Sequence, residues 1–274
     1  MQIKQAAGAL GAFISDLDLT RVVEADADLN TLRQAVHDYQ VVFLPDQQVS
    51  PQVFQTCARG FGEVLGHGAY GTVEGAPDVQ VLESTPEAPS KIEVWHSDMT
   101  FSTTPPMYTL LHSQVIPAYG GDTLWASAAA AYEQLSEPMR AFCDELVAVH
   151  DFRHGFAESL AEPGGAERLA DAIAANPPVE HPLVRTHPHT GRKCLYVNAL
   201  FTTHIKDMSP LESRQILDFL YRHIVTAEFT VRLDWQEQMV AIWDNCSTQH
   251  KPVNDFFPQH RKLHRVTIKG QRPA

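Results

Sequence analysis

Val94-Trp95-His96-Ser97-Asp98-Met99-Thr100-Phe101 contains the chain's only histidine followed two residues later by an acid. In an extended strand, side chains two apart leave from the same face, so His96 and Asp98 can direct an imidazole and a carboxylate at one ion. Taken alone the pattern is cheap. With 14 histidines and 33 acidic side chains in 274 residues, about one or two such matches arise by chance. The ordinary meaning of one match is a surface histidine near a solvated aspartate.

A second stretch gives the first its weight. Trp243-Asp244-Asn245-Cys246-Ser247-Thr248-Gln249-His250 follows an apolar strand signal, and Arg261 and Arg265 stand 11 and 15 residues beyond His250. Two imidazole nitrogens and one carboxylate oxygen make the facial triad typical of non-haem Fe(II) oxygenases, with positions left open for a bidentate co-substrate and dioxygen. An iron-bound 2-oxo acid also needs its far carboxylate held. An arginine fork does this bidentately, where a lysine supplies only a point charge.

Around these stretches the pattern is one of short strands with a few helices. Val41-Val42-Phe43-Leu44 is an apolar run stopped by Pro45, preceded by a helical stripe of Leu29, Leu32, Val36 and Tyr39. Ser50-Pro51 reads as a cap and first-turn proline, with Phe54, Cys57, Ala58 and Phe61 on the apolar face that follows. Ser209-Pro210-Leu211-Glu212 is a capping box. Strands are expected over 79–82, 107–115, 123–126, 183–186, 193–197, 229–233, 240–243 and 265–268, and a helical region over 127–149, interrupted near Ser136-Glu137-Pro138. His189-Thr190-Gly191 turns a hairpin, which suggests that His187 and His189 are exposed. The sum is mainly β with flanking helices, a sandwich or barrel in one domain spanning 1–274.

Composition narrows the function. A net charge of −12 disfavours nucleic acid, whose binders need a basic face. Four scattered cysteines without a C-x-x-C pair indicate neither a disulfide framework nor a thiolate zinc knuckle, and fit the cytoplasm. The sequence lacks a run of about 18 apolar residues, so a membrane span is not expected.

The ordered motifs resemble the TauD/TfdA family of Fe(II)- and 2-oxoglutarate-dependent dioxygenases. The likeness runs over 8–272 and is carried by Gly11-Ala12-Phe13-Ile14, Phe61-Gly62, the His96 and His250 stretches, Tyr119-Gly120-Gly121-Asp122-Thr123-Leu124-Trp125-Ala126, His187-Pro188 with Thr190-Gly191-Arg192, and Phe201-Thr202. The resemblance implies a double-stranded β-helix, or jelly roll, with His96, Asp98 and His250 holding Fe(II). It implies that Arg261 and Thr123 bind 2-oxoglutarate, that dioxygen is the oxidant, and that Arg265 faces an anionic group on the substrate. His67, Tyr70, Phe156 and Phe201 match a small sulfonate pocket, completed by Ile92 and Met99 beside the motif.

The implied reaction is hydroxylation of a taurine-like or other alkylsulfonate, which collapses to sulfite and an aldehyde. Alkyl sulfate esters and aryloxyalkanoates are the alternatives within the family. Ile92 stands where taurine-cleaving relatives have an asparagine that helps hold the substrate amine, and a branched apolar chain accepts no hydrogen bond from ammonium. Cys246 and Lys251 also depart from the family's usual residues. Relatives imply a homo-oligomer, a dimer or tetramer. Outside the family, the triad would also suit a zinc hydrolase, although no H-E-x-x-H helix or evident general base accompanies it. A non-catalytic jelly-roll binding module has no use for the triad with both arginines.

Overall fold

Val41–Leu44 is buried at all four positions, and a strand so covered needs packing on both faces. In the computed structural model, which describes residues 1–66 and 71–274, it lies inside an eight-stranded sheet. Strand order across that sheet is Gln2–Gln5, Ala12–Ser15, Val41–Leu44, Val240–Asp244, Tyr108–Val115, Arg261–Ile268, Ala76–Ser84 and Thr72–Val73. Neighbours are antiparallel apart from the parallel pair Ala12–Ser15 and Val41–Leu44.

Side-chain alternation along these strands serves two cores. Val240 and Ile242 pack with Leu32, Val36 and Phe54 of the helices Asp26–Tyr39 and Pro51–Phe61. Ala241 and Trp243 point the other way, into a cluster with Trp125, Val231 and Leu233. Those partners belong to a second sheet, Thr230–Leu233, Thr123–Ser127 and Thr248–Pro252. Two facing sheets with helices outside the larger one form the jelly roll that the motifs implied.

Ser50 caps its helix by accepting from the Val53 amide, and Ser209 and Glu212 form the reciprocal box at the start of Pro210–Ile224. The helical reading of 127–149 holds for Ala128–Glu133 and Glu137–Asp144 and fails after them. Val147–His150 is a strand, flanked by Thr202–Ile205 and Val179–Pro182. Its valines are half-buried while Ala148 and His150 face the core, so β-branched alternation between two partners overrides the helical run before it. Arg261–Ile268 begins four residues earlier than expected, which places both arginines on one strand.

Val184–Thr186 and Lys193–Leu195 pair as the expected hairpin. Its turn does not expose two imidazoles: His189 is exposed, but His187 is 1% exposed. The reason is a carboxylate partner far along the chain, Asp244. His67 and Tyr70 lie outside the described residues. Among the described residues no helix is long and apolar enough to cross a membrane.

Candidate active site

His96 and His250 are brought together by backbone pairing. An isolated antiparallel bridge joins them, with the His96 amide donating to the His250 carbonyl at 3.0 Å and the reverse bond at 2.7 Å. Their ring centroids are 4.2 Å apart. Asp98, two residues on, places Oδ1 4.0 Å from His96 Nε2 and 3.9 Å from His250 Nε2. His96 and Asp98 converge as their spacing suggested, but not from a strand: His96 is a single bridge residue and Asp98 already lies in the turn that follows, and the bridge adds His250.

Each member is oriented by a fixed neighbour. His96 Nδ1 lies 2.9 Å from the Val94 carbonyl, so that nitrogen carries the proton and the Nε2 lone pair faces inward. Thr109 Oγ1 donates to Asp98 Oδ2 at 2.7 Å, leaving Oδ1 for the centre. Asn245 ties the arrangement together: Oδ1 accepts from the Asp98 amide at 3.3 Å, and Nδ2 donates to Thr109 Oγ1 at 2.8 Å. The Trp243 ring lies against His250 with centroids 4.8 Å apart.

All three groups are buried. Burial would raise the Asp98 carboxyl, but His250, Arg265 and His96 outweigh it and hold the group below its ordinary range. Burial pushes His96 down, and burial with His96 alongside pushes His250 down to about 3. Two neutral imidazoles and a carboxylate, each offering a lone pair to a common space, are the donor set of a divalent transition metal. These residues therefore fit a resident Fe(II).

Arg261 presents a different unmet demand. Its Nε and Nη2 are buried and have no hydrogen-bond partner among the described residues, and burial lowers the guanidinium to about 10. A buried donor left unpaired costs about 1–3 kcal/mol, so the side chain is built for an anion. Thr123 Oγ1 accepts from Trp235 Nε1 at 3.0 Å, which leaves the hydroxyl proton to donate. Gly121, at φ +75°, permits the close approach: a Cβ there would meet Arg261 Cδ at 3.2 Å.

Arg265 lines a cavity with His96 and Asp98, and Ile92, Met99, Phe156 and Phe201 form its apolar wall. Its Nε and Nη2 both reach Gln80 Oε1, at 3.0 and 2.8 Å. Phe101, Leu200 and Thr267 complete the cavity. Phe201 meets Phe101 edge-on at 4.9 Å, and Phe152 stacks on Phe156 at 4.3 Å. A wider surface hollow lined by Asp16, Asp18, Arg21 and Asp46 shares no residue with this cavity.

Sequence reasoning did not assign Thr109, Asn245 or Gln80. Asn245 stood within the second motif, and Thr109 is a lone hydroxyl at the start of an apolar strand. Their partners are 136 and 11 residues away, so no local pattern could assign the bonds.

A jelly roll enclosing two histidines, an aspartate and an arginine with two buried nitrogens that find no partner among the described residues defines the class of 2-oxo-acid-dependent metal oxygenases. The taurine catabolism dioxygenase TauD, TfdA family matches residues 2–267, and the chain belongs to that family. It is an Fe(II)- and 2-oxoglutarate-dependent dioxygenase, which sets aside the zinc hydrolase reading. An alkylsulfatase of Acinetobacter baylyi is 33% identical over 99% of this chain and 86% of its own length. An alpha-ketoglutarate-dependent sulfate ester dioxygenase of Pseudomonas putida is 34% identical, over 100% of this chain and 91% of its own. The crystal structure of a taurine dioxygenase from Burkholderia xenovorans superposes with a TM-score of 0.85 at 35% identity, covering 100% of this chain and 90% of that one.

Proposed function

We propose that the chain, working as a single catalytic jelly-roll unit over 1–274, hydroxylates a compact alkylsulfonate at the carbon bearing sulfur. His96, Asp98 and His250 hold Fe(II), Arg261 and Thr123 hold the distal carboxylate of 2-oxoglutarate, and Arg265 receives the sulfonate. The observation that carries this reading is the shared cavity, where Arg265 and an apolar wall meet two members of the triad.

Bound iron with 2-oxoglutarate and dioxygen supplies the C–H oxidant and leaves succinate and carbon dioxide. The protein's residues do the rest. Arg261 fixes the co-substrate by a buried charge that water does not screen. Arg265, already oriented by Gln80, sets the anionic end of the substrate, so the adjacent carbon is directed toward the His96 side of the cavity. Phe156, Phe201, Ile92 and Met99 exclude water from the reacting carbon. Hydroxylation gives an α-hydroxysulfonate, whose C–S bond breaks as the hydroxyl proton leaves, yielding an aldehyde and sulfite.

A second reading, an alkyl sulfate ester, is favoured by Ile92 and by the names of the two relatives above. Here the hydroxylated carbon bears the ester oxygen, and collapse releases sulfate with the aldehyde. His67 and Tyr70 enter either reading as further pocket residues on the resemblance alone. Taurine, longer alkylsulfonates, alkyl sulfates and aryloxyacetates should be compared by substrate-dependent succinate. Sulfite release from an unaminated alkylsulfonate is the expected result, sulfate release selects the ester reading, and succinate uncoupled from every member contradicts both. Four buried, free cysteines support a cytoplasmic setting. The family likeness supports a homo-oligomer, checked by light scattering.

A further inference from the structure

The chain passes from the large sheet to the small one between Val240–Asp244 and Thr248–Pro252. That corner has to be built accurately, because it launches the strand that carries His250. Asp244 sits at its start, 1% exposed, and its carboxylate gathers three donors. Oδ1 accepts from the Cys246 amide at 2.7 Å, and Oδ2 accepts from Ser247 Oγ at 2.9 Å and from His187 Nε2 at 2.5 Å. The Asp244 carbonyl accepts from Thr248 Oγ1 at 2.7 Å.

His187 comes from the turn of a separate hairpin and is held rigidly itself. Its Nδ1 accepts the backbone amides of His189 and Thr190 at 3.1 and 3.0 Å, which leaves Nε2 as the donor to Asp244. His187, Asp244 and Cys246 lie close enough together to suggest a second metal centre. The bonding argues otherwise: both imidazole nitrogens are occupied, and burial raises the Cys246 thiol well above its usual range, so it offers no thiolate.

We infer that the buried His187–Asp244 pair is a positioning device for the metal site, fixing the corner from which two of the three ligands are set. One arm runs forward along the chain to His250. The other runs through the next residue, Asn245, which holds the Asp98 amide and Thr109, and Thr109 in turn holds Asp98 Oδ2. The separation of His250 from Asp98 is thus referred to one buried carboxylate and the hairpin histidine that orients it. Outer partners of this kind tune metal affinity without touching the ion.

This inference rests on the reading of His96, Asp98 and His250 as ligands, and the test separates the two. Metal-free full-length protein is titrated with Mn(II), and free Mn(II) is followed by electron paramagnetic resonance, well below the unfolding temperature. His187→Leu is expected to weaken Mn(II) binding about 10- to 100-fold. His187→Gln, whose amide can donate to Asp244, is expected to recover most of that loss. Leu217→Ala, a core truncation on the buried face of the helix Pro210–Ile224, controls for general destabilisation and is expected to keep the affinity within about twofold. Ser247→Ala removes one donor from the same carboxylate and reports a smaller loss in the same direction if His187→Leu does not fold.

Wild-type affinity in His187→Leu, or in Ser247→Ala where His187→Leu does not fold, overturns the inference. So does an equal loss in Leu217→Ala. His96→Ala must lose Mn(II) binding; if it binds like wild type, the ligand reading falls, whereas its loss beside an unaffected His187→Leu removes only the positioning role.

Discussion

Arg261 is the residue whose surroundings are least explicable without a ligand, since two of its buried nitrogens have no hydrogen-bond partner among the described residues. Arg261→Ala should lose a charge-assisted bond of about 1.5–3 kcal/mol, roughly 10- to 150-fold in the KM for 2-oxoglutarate. Arg261→Lys should fall between, because the charge stays and the fork goes. Steady-state succinate formation against 2-oxoglutarate concentration checks both. Ile92 makes the complementary point, in a cavity wall where an ammonium group finds no acceptor in its side chain. Ile92→Asn should improve kcat/KM for taurine relative to a propyl- or butylsulfonate, by a free energy of about 1–3 kcal/mol; an unchanged ratio removes Ile92 from amine discrimination. Both side chains could be singled out in the sequence because the arginine and the departure from asparagine lie at motif positions. The burial of His187 could not, because its partner Asp244 is 57 residues away and an isolated H-x-H beside a turn ordinarily signals exposure.

Among the elements, strands with apolar runs or clear alternation were legible: Val41–Leu44, Val240–Asp244 and Tyr108–Val115 are all close to their expected positions. Val147–His150 was not, because four residues of mixed burial acquire strand identity only from partners on both edges. The strand Arg261–Ile268 matters most for function. Side chains at 261, 263, 265 and 267 share its inner face, so Arg261 and Arg265, the residues proposed to hold the co-substrate and the substrate, are about 13 Å apart along one rigid element. Gly121 sets how closely a neighbouring loop approaches the first of them. Gly121→Ala should raise the KM for 2-oxoglutarate while leaving the substrate KM nearly unchanged, since its Cβ would press on Arg261 Cδ and also on Pro117 Cγ at 3.0 Å. By contrast Ser209→Ala, at an exposed capping box outside the cavity lining, should cost about 1 kcal/mol of stability with both KM values intact.

At the scale of the molecule, two sheets bring together side chains that lie far apart in the sequence, Asp98 near the first motif's centre and His250 at the end of the second. The fold can do this because central strands of the larger sheet, Val41–Leu44, Val240–Asp244, Tyr108–Val115 and Arg261–Ile268, feed one core toward the helices and another toward the smaller sheet. Metal binding should therefore stabilise the whole structure. An ion present at 100 times its Kd contributes about 2.7 kcal/mol, so chelation should lower the melting temperature by about 5 °C, and the shift should vanish in His96→Ala. The most direct measurement is the visible spectrum of anaerobic protein loaded with Fe(II) and 2-oxoglutarate. A weak charge-transfer band that shifts on adding an alkylsulfonate, and is lost in His96→Ala, is the predicted result; a featureless spectrum with iron and 2-oxoglutarate both bound would contradict the site at its centre.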